Sequence, residues 1–134
     1  MFITETDIQT WIQPITIKNT KAMNPNALDN AYLNAVGYLK RELQGKWDID
    51  NALKAQRDSE DFDPTLYYIV VVLTSFYFAG ISSNISEPLY NEYKQVCGIV
   101  EDLKNGTSVM YNAPEQESPD AYGIVYTDEN TYLG

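Results

Sequence analysis

Histidine is absent from this chain, and cysteine occurs once, at Cys97. Without histidine the chain lacks the commonest general base, the usual metal ligand and the partner that activates serine or cysteine nucleophiles. A single cysteine cannot form an intramolecular disulfide, so nothing indicates a secreted, disulfide-stabilised scaffold. Cys97 falls inside a predicted helix near its apolar positions, and we interpret it as an unreactive core thiol.

Basic residues are also scarce: 9 lysines and arginines stand against 19 acidic residues, which gives a formal net charge of −10. Phosphate binding needs clustered Lys or Arg, so general affinity for nucleic acid is disfavoured. The opening residues, "MFITETDIQTW", carry acids where a signal peptide would carry bases, so the sequence predicts no export signal. A chain of 134 residues is long enough for one domain and too short for two.

Motifs that carry chemistry are missing as well. The sequence has no glycine-rich phosphate loop, and its two acidic clusters, residues 48–51 and 58–63, lack the glycine turn and terminal glutamate of a calcium loop. We interpret the first cluster as helix capping and the second as a solvated loop. The sequence therefore predicts a protein that is not an enzyme and that binds neither a cofactor nor a metal.

One long apolar run is present, "DPTLYYIVVVLTSFYFAG" at residues 63–80, and residues 66–81 contain no charge. A membrane span needs about 20 apolar residues to cross about 30 Å, whereas residues 66–81 as a helix reach only about 24 Å. No Lys or Arg anchors either end, as membrane flanks usually require. We therefore expect this run to lie inside a soluble domain rather than in a membrane.

The same run is predicted to be a helix rather than a strand. Its Tyr, Ile, Val and Phe residues also favour strands, but strands are usually shorter and no turn residue interrupts the run. Asp63 is a suitable N-cap, Pro64 suits the first turn, and Gly80 can end the helix. A helix that is apolar on every side must be surrounded. The expected core residues are Ile69, Val72, Leu73 and Phe76.

The segments that precede this run also carry helix signals, which differ in strength. We predict a short helix from Thr4 to Ile12, then an irregular connector over residues 13–26 with a brief extended piece at 15–17. A long helix follows, opened by "NPN" and ended by Gly45, with one apolar face of Leu28, Ala31, Tyr32, Ala35, Leu39 and Leu43. A shorter helix capped by Asp48 or Asp50 comes next.

The last predicted helix has the clearest end signals. Ser86 is its expected N-cap, Pro88 lies in its first turn, and Gly106 ends it. A narrow apolar seam lies between these ends, formed by Leu89, Tyr93, Val96, Val100 and Leu103. The fold class predicted for residues 1–106 is therefore all-α, a small helical bundle around a central apolar helix.

Residues 107–134 differ in character, with no Lys or Arg, five acidic residues, two prolines and four tyrosines. No helical period continues here, so we predict an extended C-terminal arm that becomes ordered on a partner. A short hairpin within residues 123–133 is possible, with its turn at 128–130. The alternative is a tail packed on its own domain. The expected protein-interface residues are Tyr111, Tyr122, Ile124, Val125, Tyr126, Tyr132 and Leu133.

The order of the main elements resembles a known family. A helix carrying "AYLNAVGYLKREL" leads to the apolar helix, and the helix "EPLYNEYKQVCGIVEDLKNGT" precedes an extended tail. This layout resembles the small head–tail connector proteins of tailed phages (head-completion or adaptor proteins), particularly the phage Mu-like branch. That branch has a "YL" helix, an apolar helix rich in Tyr and Leu, and a helix that ends in a short motif. The corresponding residues of this chain are "VEDLKNGT". The resemblance covers residues 26–107.

The resemblance implies a virion structural protein at the head–tail junction, made in the host cytoplasm. Such proteins form a ring, usually dodecameric, that joins the portal of the DNA-filled head to the tail or its stopper. The implied partners are other copies of the chain, the portal protein, and the tail, stopper or next ring protein. Genomic DNA would pass through without specific binding, and no membrane is involved. An acidic surface and a tyrosine-rich tail able to pair with a partner's sheet edge agree with this role.

A second function stays open on sequence grounds. A small acidic helical protein can act as a binding or regulatory module that sequesters a basic partner, as DNA mimics do. A ring would favour the connector, whereas a monomer or dimer would favour the mimic.

Overall fold

The computed structural model describes residues 1–116, whose regular secondary structure is entirely helical. The elements are α1 (Glu5–Ile8), α2 (Pro14–Met23), α3 (Ala27–Leu43), α4 (Ile49–Ala52), α5 (Pro64–Ile81) and α6 (Glu87–Asn105). The β-type pairing within these residues is an isolated bridge between Trp47 and Glu115. Helix α5 packs against both α3 and α6. The predicted all-α bundle around a central apolar helix is therefore confirmed.

Helix α5 begins as its sequence predicts. The carboxylate of Asp63 accepts a hydrogen bond from the backbone N–H of Leu66 at 3.0 Å, and Pro64 occupies the first turn. Gly80 does not end the helix, contrary to the prediction, because α5 continues to Ile81 and its C-cap is Ser82. Gly80 keeps a helical conformation, so its freedom to adopt positive φ is not used here.

The length and apolarity of α5 also fit a membrane-spanning helix. Its mean hydropathy is 1.6 over 18 residues, yet 56% of those residues are buried inside the domain. The core helix of a globular domain has the same two properties, so the hydropathy of α5 is not by itself an indication of a membrane.

Three of the four predicted core residues of α5 are fully buried: Ile69, Val72 and Leu73. The prediction for Phe76 is wrong, because its side chain is only half-buried and stacks on Tyr93 of α6 at the surface of the bundle. Phe78 occupies the core instead, with no exposed surface. The sequence of a helix that is apolar on every side shows no alternation of apolar and polar residues. The most deeply buried face therefore cannot be identified from its periodicity.

The apolar faces predicted for α3 and α6 are the faces that the domain buries. On α3 the buried members are Leu28, Ala31, Ala35, Leu39 and Leu43, and on α6 they are Leu89, Val96, Val100 and Leu103. Tyr32 and Tyr93 are half-buried at the edges of these faces. The hydroxyl of Ser86 accepts from the N–H of Leu89 at 3.3 Å, and Gly106 ends α6 with a φ of 82°. Most other residues would be strained in that left-handed conformation.

The connector predicted over residues 13–26 is wrong, because most of it is helix α2. Pro14 is the first residue of this helix, a position at which the backbone N–H has no partner within the helix, so proline loses no hydrogen bond there. The prediction had used Pro14 only as the end of the preceding helix. Ile17 and Thr20, three residues apart, face the core. The preceding helix is also shorter than predicted, because α1 ends at Ile8 and not at Ile12.

Residues 107–116, the first part of the predicted arm, lie against the helical domain, and we call them the docked segment. Met110 and Ala113 are buried there. Asn112 donates its backbone N–H to Asp63 Oδ2 and its side-chain amide to the carbonyl of Phe62, both at 3.0 Å. Backbone bonds join Asp48 to Pro114 and Gln116 to Lys46, each at 2.9 Å. The predicted hairpin at residues 123–133 lies outside the described residues.

Candidate interaction surface

The structure describes one of the predicted interface residues, Tyr111, whose side chain is 91% exposed beside the buried Met110. The ring of Tyr111 therefore lies on the surface and does not contribute to the core. The other predicted interface residues lie outside the described residues: Tyr122, Ile124, Val125, Tyr126, Tyr132 and Leu133.

Five aromatic side chains from three helices form a surface that sequence reasoning did not predict. We call them the aromatic patch: Tyr38 of α3, Phe76 and Tyr77 of α5, and Tyr90 and Tyr93 of α6. The rings of Phe76 and Tyr93 stack with their centroids 3.7 Å apart and their planes within 7° of parallel. Phe76 also lies 6.4 Å from Tyr90, and Tyr77 lies 6.5 Å from Tyr93. These contacts pack the C-terminal end of α5 against the N-terminal end of α6.

The rings of the patch are accessible from solvent, and three of its four phenols have raised pKa values. Tyr90 is 46% exposed, and the other four rings are half-buried. Burial and the adjacent Cys97 thiol raise the pKa of Tyr93 to about 12 and also raise the pKa of Tyr38. Burial raises the pKa of Tyr77 in the same way. Protonated phenols at this site can donate hydrogen bonds as well as contribute apolar contact area.

Two cationic side chains lie at the edges of the aromatic patch. The guanidinium of Arg41 is 5.9 Å from the centroid of the Tyr38 ring, and the ammonium of Lys94 is 4.8 Å from that of Tyr90. No carboxylate among residues 1–116 lies within salt-bridge distance of either cation. Glu42, a carboxylate near Tyr38, is bound by Lys104 at 3.2 Å. The patch therefore combines apolar rings with two positive charges in a strongly acidic protein.

Part of this surface could have been found in the sequence. Tyr90, Tyr93 and Cys97 follow one another at three- and four-residue steps, so they share one face of α6. The sequence interpretation treated that face as a narrow seam and placed Cys97 in the core. In the structure Cys97 is half-buried among tyrosines, which makes the face wider than the seam. The contribution of Tyr38 from α3 depends on tertiary packing and has no local signal.

A polar cluster, separate from the aromatic patch, connects the start of the chain to α5. The carboxylate of Asp7 accepts from Arg57 Nη2 at 3.0 Å, from the Tyr67 hydroxyl at 2.8 Å and from the backbone N–H of Thr4 at 2.7 Å. Arg57 also lies over the Tyr67 ring, 4.5 Å from its centroid. Burial opposes ionisation of Asp7, but these hydrogen bonds outweigh it and hold the pKa of this carboxyl below its usual value.

This cluster gives a pH-dependent prediction. A carboxyl with a lowered pKa in the folded state stabilises the fold above its unfolded pKa of about 3.9 and loses that contribution as the pH falls through the folded value. We therefore expect Asp7→Asn to lower the free energy of unfolding at pH 7, and the difference from wild type to shrink under acid conditions. Urea unfolding of both proteins at neutral and acid pH measures this.

Glu60→Gln is the matched control, because Glu60 is exposed in the loop before α5. It should leave the stability difference near zero at both pH values. A difference between wild type and Asp7→Asn that stays constant into acid would contradict an electrostatic role for Asp7.

Among residues 1–116 no group of three or more acidic, cysteine or histidine side chains is arranged to hold a metal ion. Comparison of the chain with protein-family models, with curated proteins and with solved structures gives no match.

Proposed function

We propose that this chain is a structural protein of a tailed-phage particle, a subunit of the ring that joins the portal of the DNA-filled head to the tail or stopper. It works by assembly and not by catalysis. The observation that carries the proposal is the order of elements: α3, the buried α5, and α6 with its C-cap at Gly106, followed by the docked segment. This layout resembles that of the connector family.

The path of the chain after α6 supports a role in assembly. The docked segment lies along the domain and brings the chain to Gln116, which is held to Lys46. Residues 117–134, which we call the terminal segment, follow this anchored point. The terminal segment is rich in tyrosine and has no basic residue. Tyrosine-rich segments are well suited to protein interfaces, because each ring offers a large contact area and a polar tip.

The test is the assembly state of the full chain, alone and mixed with the portal protein encoded in the same genome. We expect negative-stain images and mass photometry to show closed rings, dodecameric if the resemblance holds, in at least the mixture. A chain that stays monomeric or dimeric in both samples contradicts the proposal. Location of the gene between portal and tail genes would be independent support.

The acidity of the protein gives a second prediction for this role. The loop before α5 exposes Asp58, Glu60 and Asp61, and a surface of this charge gives DNA phosphates no place to bind. The purified protein should not retard duplex DNA in a gel, even at low salt where phosphate contacts are strongest.

The control is the triple variant Asp58→Lys, Glu60→Lys, Asp61→Lys, which should gain salt-sensitive DNA retardation. The same variant is expected to impair DNA passage more than assembly. Salt-sensitive DNA binding by the wild-type protein at micromolar concentration would count against the channel role.

Removal of the terminal segment separates folding from attachment. Residues 1–116 contain an extensive buried core of their own, so a chain that ends at Gln116 should keep its helical circular dichroism. We expect it to lose attachment to portal-bearing heads. A chain cut before Met110 is the informative comparison, because it also loses two buried side chains and should be less stable. Normal head completion by the chain ending at Gln116 would remove the terminal segment from the mechanism.

The alternative function is a small acidic module that sequesters a basic partner. The exposed acids of the loop before α5 favour it. Within the described part of the chain, none of the acidic residues at 58–61 forms a salt bridge, so their negative charge is available to a basic partner. A stable monomer or dimer that binds a basic protein, and that forms no ring with the portal, would establish this function instead.

A further inference from the structure

We infer that the aromatic patch is the acceptor site for the terminal segment, residues 117–134, of a neighbouring copy of this chain. The inference rests on the proposed ring and names the contact that joins one subunit to the next. Three properties carry it: the chemistry of the two surfaces, their places on the domain, and the reach of the terminal segment.

The chemistry of the two surfaces is complementary. The terminal segment has no Lys or Arg. It contains tyrosines and branched aliphatic residues interspersed with acids, namely Glu117, Asp120, Tyr122, Ile124, Val125, Tyr126, Asp128, Glu129 and Tyr132. The aromatic patch offers apolar rings for the first group, and Arg41 and Lys94 offer positive charge for the second. Aromatic side chains and Arg are the residues that interface cores favour, and opposite charges at the rim set the register of the contact.

Tyr90 and Tyr93 of the acceptor surface lie at one end of α6, and the residue after which the terminal segment starts lies near the other. Tyr90 and Tyr93 belong to the first two turns of this helix. The terminal segment starts after Gln116, whose N–H bonds the carbonyl of Lys46. The Lys46 ammonium in turn lies beside Gly106, so close that a Cβ at position 106 would come within 2.8 Å of it. The segment therefore starts near the C-terminal end of α6, about 20 Å along the helix from Tyr93.

The segment is long enough to reach the patch of its own copy, so the choice of a neighbouring copy rests on the proposed ring, which needs a contact between copies. A donor on one surface of a subunit and an acceptor on another make a heterologous, head-to-tail interface, and such interfaces generate rings where the rotation between subunits closes and open filaments where it does not. Reach is not a limit, because the terminal segment spans up to about 60 Å when fully extended. Residues 117–121 would bridge to the neighbour, and Tyr122 and the residues after it would contact the patch.

The experiment is isotope-resolved photo-crosslinking of the full chain. One sample carries the photoreactive amino acid benzoylphenylalanine in place of Tyr126, and the second sample is isotope-labelled and has no crosslinker. The two are mixed at up to about 1 mM, the effective concentration that flexible tethers impose, with and without the portal protein. Mass spectrometry then separates crosslinks within one copy, which carry no label, from crosslinks to a labelled neighbour.

We expect labelled crosslinks to peptides that contain Tyr38, Tyr90 or Tyr93. The double variant Arg41→Glu, Lys94→Glu in the labelled copy should lower their yield about tenfold or more, which corresponds to 1.4 kcal/mol or more of binding free energy. The control variant Lys18→Glu, Lys54→Glu makes the same charge change at exposed sites on α2 and after α4, and should leave the yield unchanged. Tyr90→Ala tests the aromatic contribution without a change of charge.

Several results would overturn the inference. These are unlabelled crosslinks alone, crosslinks to other surfaces, no crosslink at all, or a yield that the patch variants leave unchanged. Imaging of the same mixtures distinguishes this failure from failure of the proposed function. Rings without crosslinks to the patch overturn only the acceptor site, whereas the absence of rings with and without the portal overturns the connector role as well.

Discussion

Leu73→Ala is expected to lower the free energy of unfolding by about 2–5 kcal/mol, one of the two largest effects that the structure predicts. Leu73 has no exposed surface and lies in the middle of α5, the helix that α3 and α6 both contact. The truncation removes buried methyl groups and leaves a cavity that surrounding helices can only partly fill. Urea unfolding followed by circular dichroism gives the free energy, and a thermal scan gives the accompanying fall in Tm.

Leu33→Ala is the matched control for this substitution. Leu33 lies on α3 with 64% of its surface exposed, so the same loss of methyl groups should change stability by no more than about 0.5 kcal/mol. If Leu73→Ala left the Tm unchanged, α5 would not be the buried centre of the domain.

Asp63→Ala is expected to cost about 2–4 kcal/mol, because one buried carboxylate serves two parts of the chain. One of its oxygens caps α5 through the N–H of Leu66, and the other accepts from the N–H of Asn112 in the docked segment. The substitution leaves both donors without this acceptor. Hydrogen exchange should accelerate at residues 110–116 as well as at the start of α5.

Asp63→Asn separates the two contributions. Its amide oxygen can still cap α5, whereas its NH2 group cannot accept from Asn112, so we expect a smaller loss of stability with faster exchange mainly in the docked segment. Asp61→Ala, at an exposed position two residues earlier, is the control and should change neither quantity. Unchanged exchange in the docked segment of Asp63→Ala would show that the carboxylate does not hold it.

The sequence predicts the parts of this fold whose signals are local. Asp63, Ser86 and Gly106 each act at the helix end where capping chemistry places them. Helix α2 was missed because Pro14 was interpreted only as the end of one helix, although proline is equally suited to begin the next. The buried face of α2 is also sparse, with Ile17 and Thr20 as its buried members, so it offers little periodicity.

The candidate site depends on contacts that the sequence does not encode locally. Phe76 was assigned to the core because α5 is apolar throughout, and its stacking on Tyr93 becomes visible only when α5 and α6 lie side by side. The docked segment was likewise predicted as part of an extended arm. It is held by hydrogen bonds to residues about 50 or more positions away in sequence, which no short pattern reveals.

The docked segment also determines how a mechanical load enters the domain. A pull on the chain beyond Gln116 acts first on the backbone bond between Gln116 and Lys46, then on the bond between Pro114 and Asp48. It reaches Asn112 and its two bonds to the start of α5 only after those have broken. Helix α6 precedes the docked segment in sequence, so it would be loaded only after these bonds. Tension on the C-terminus is therefore expected to act on the hydrogen bonds of the docked segment before it acts on the helices.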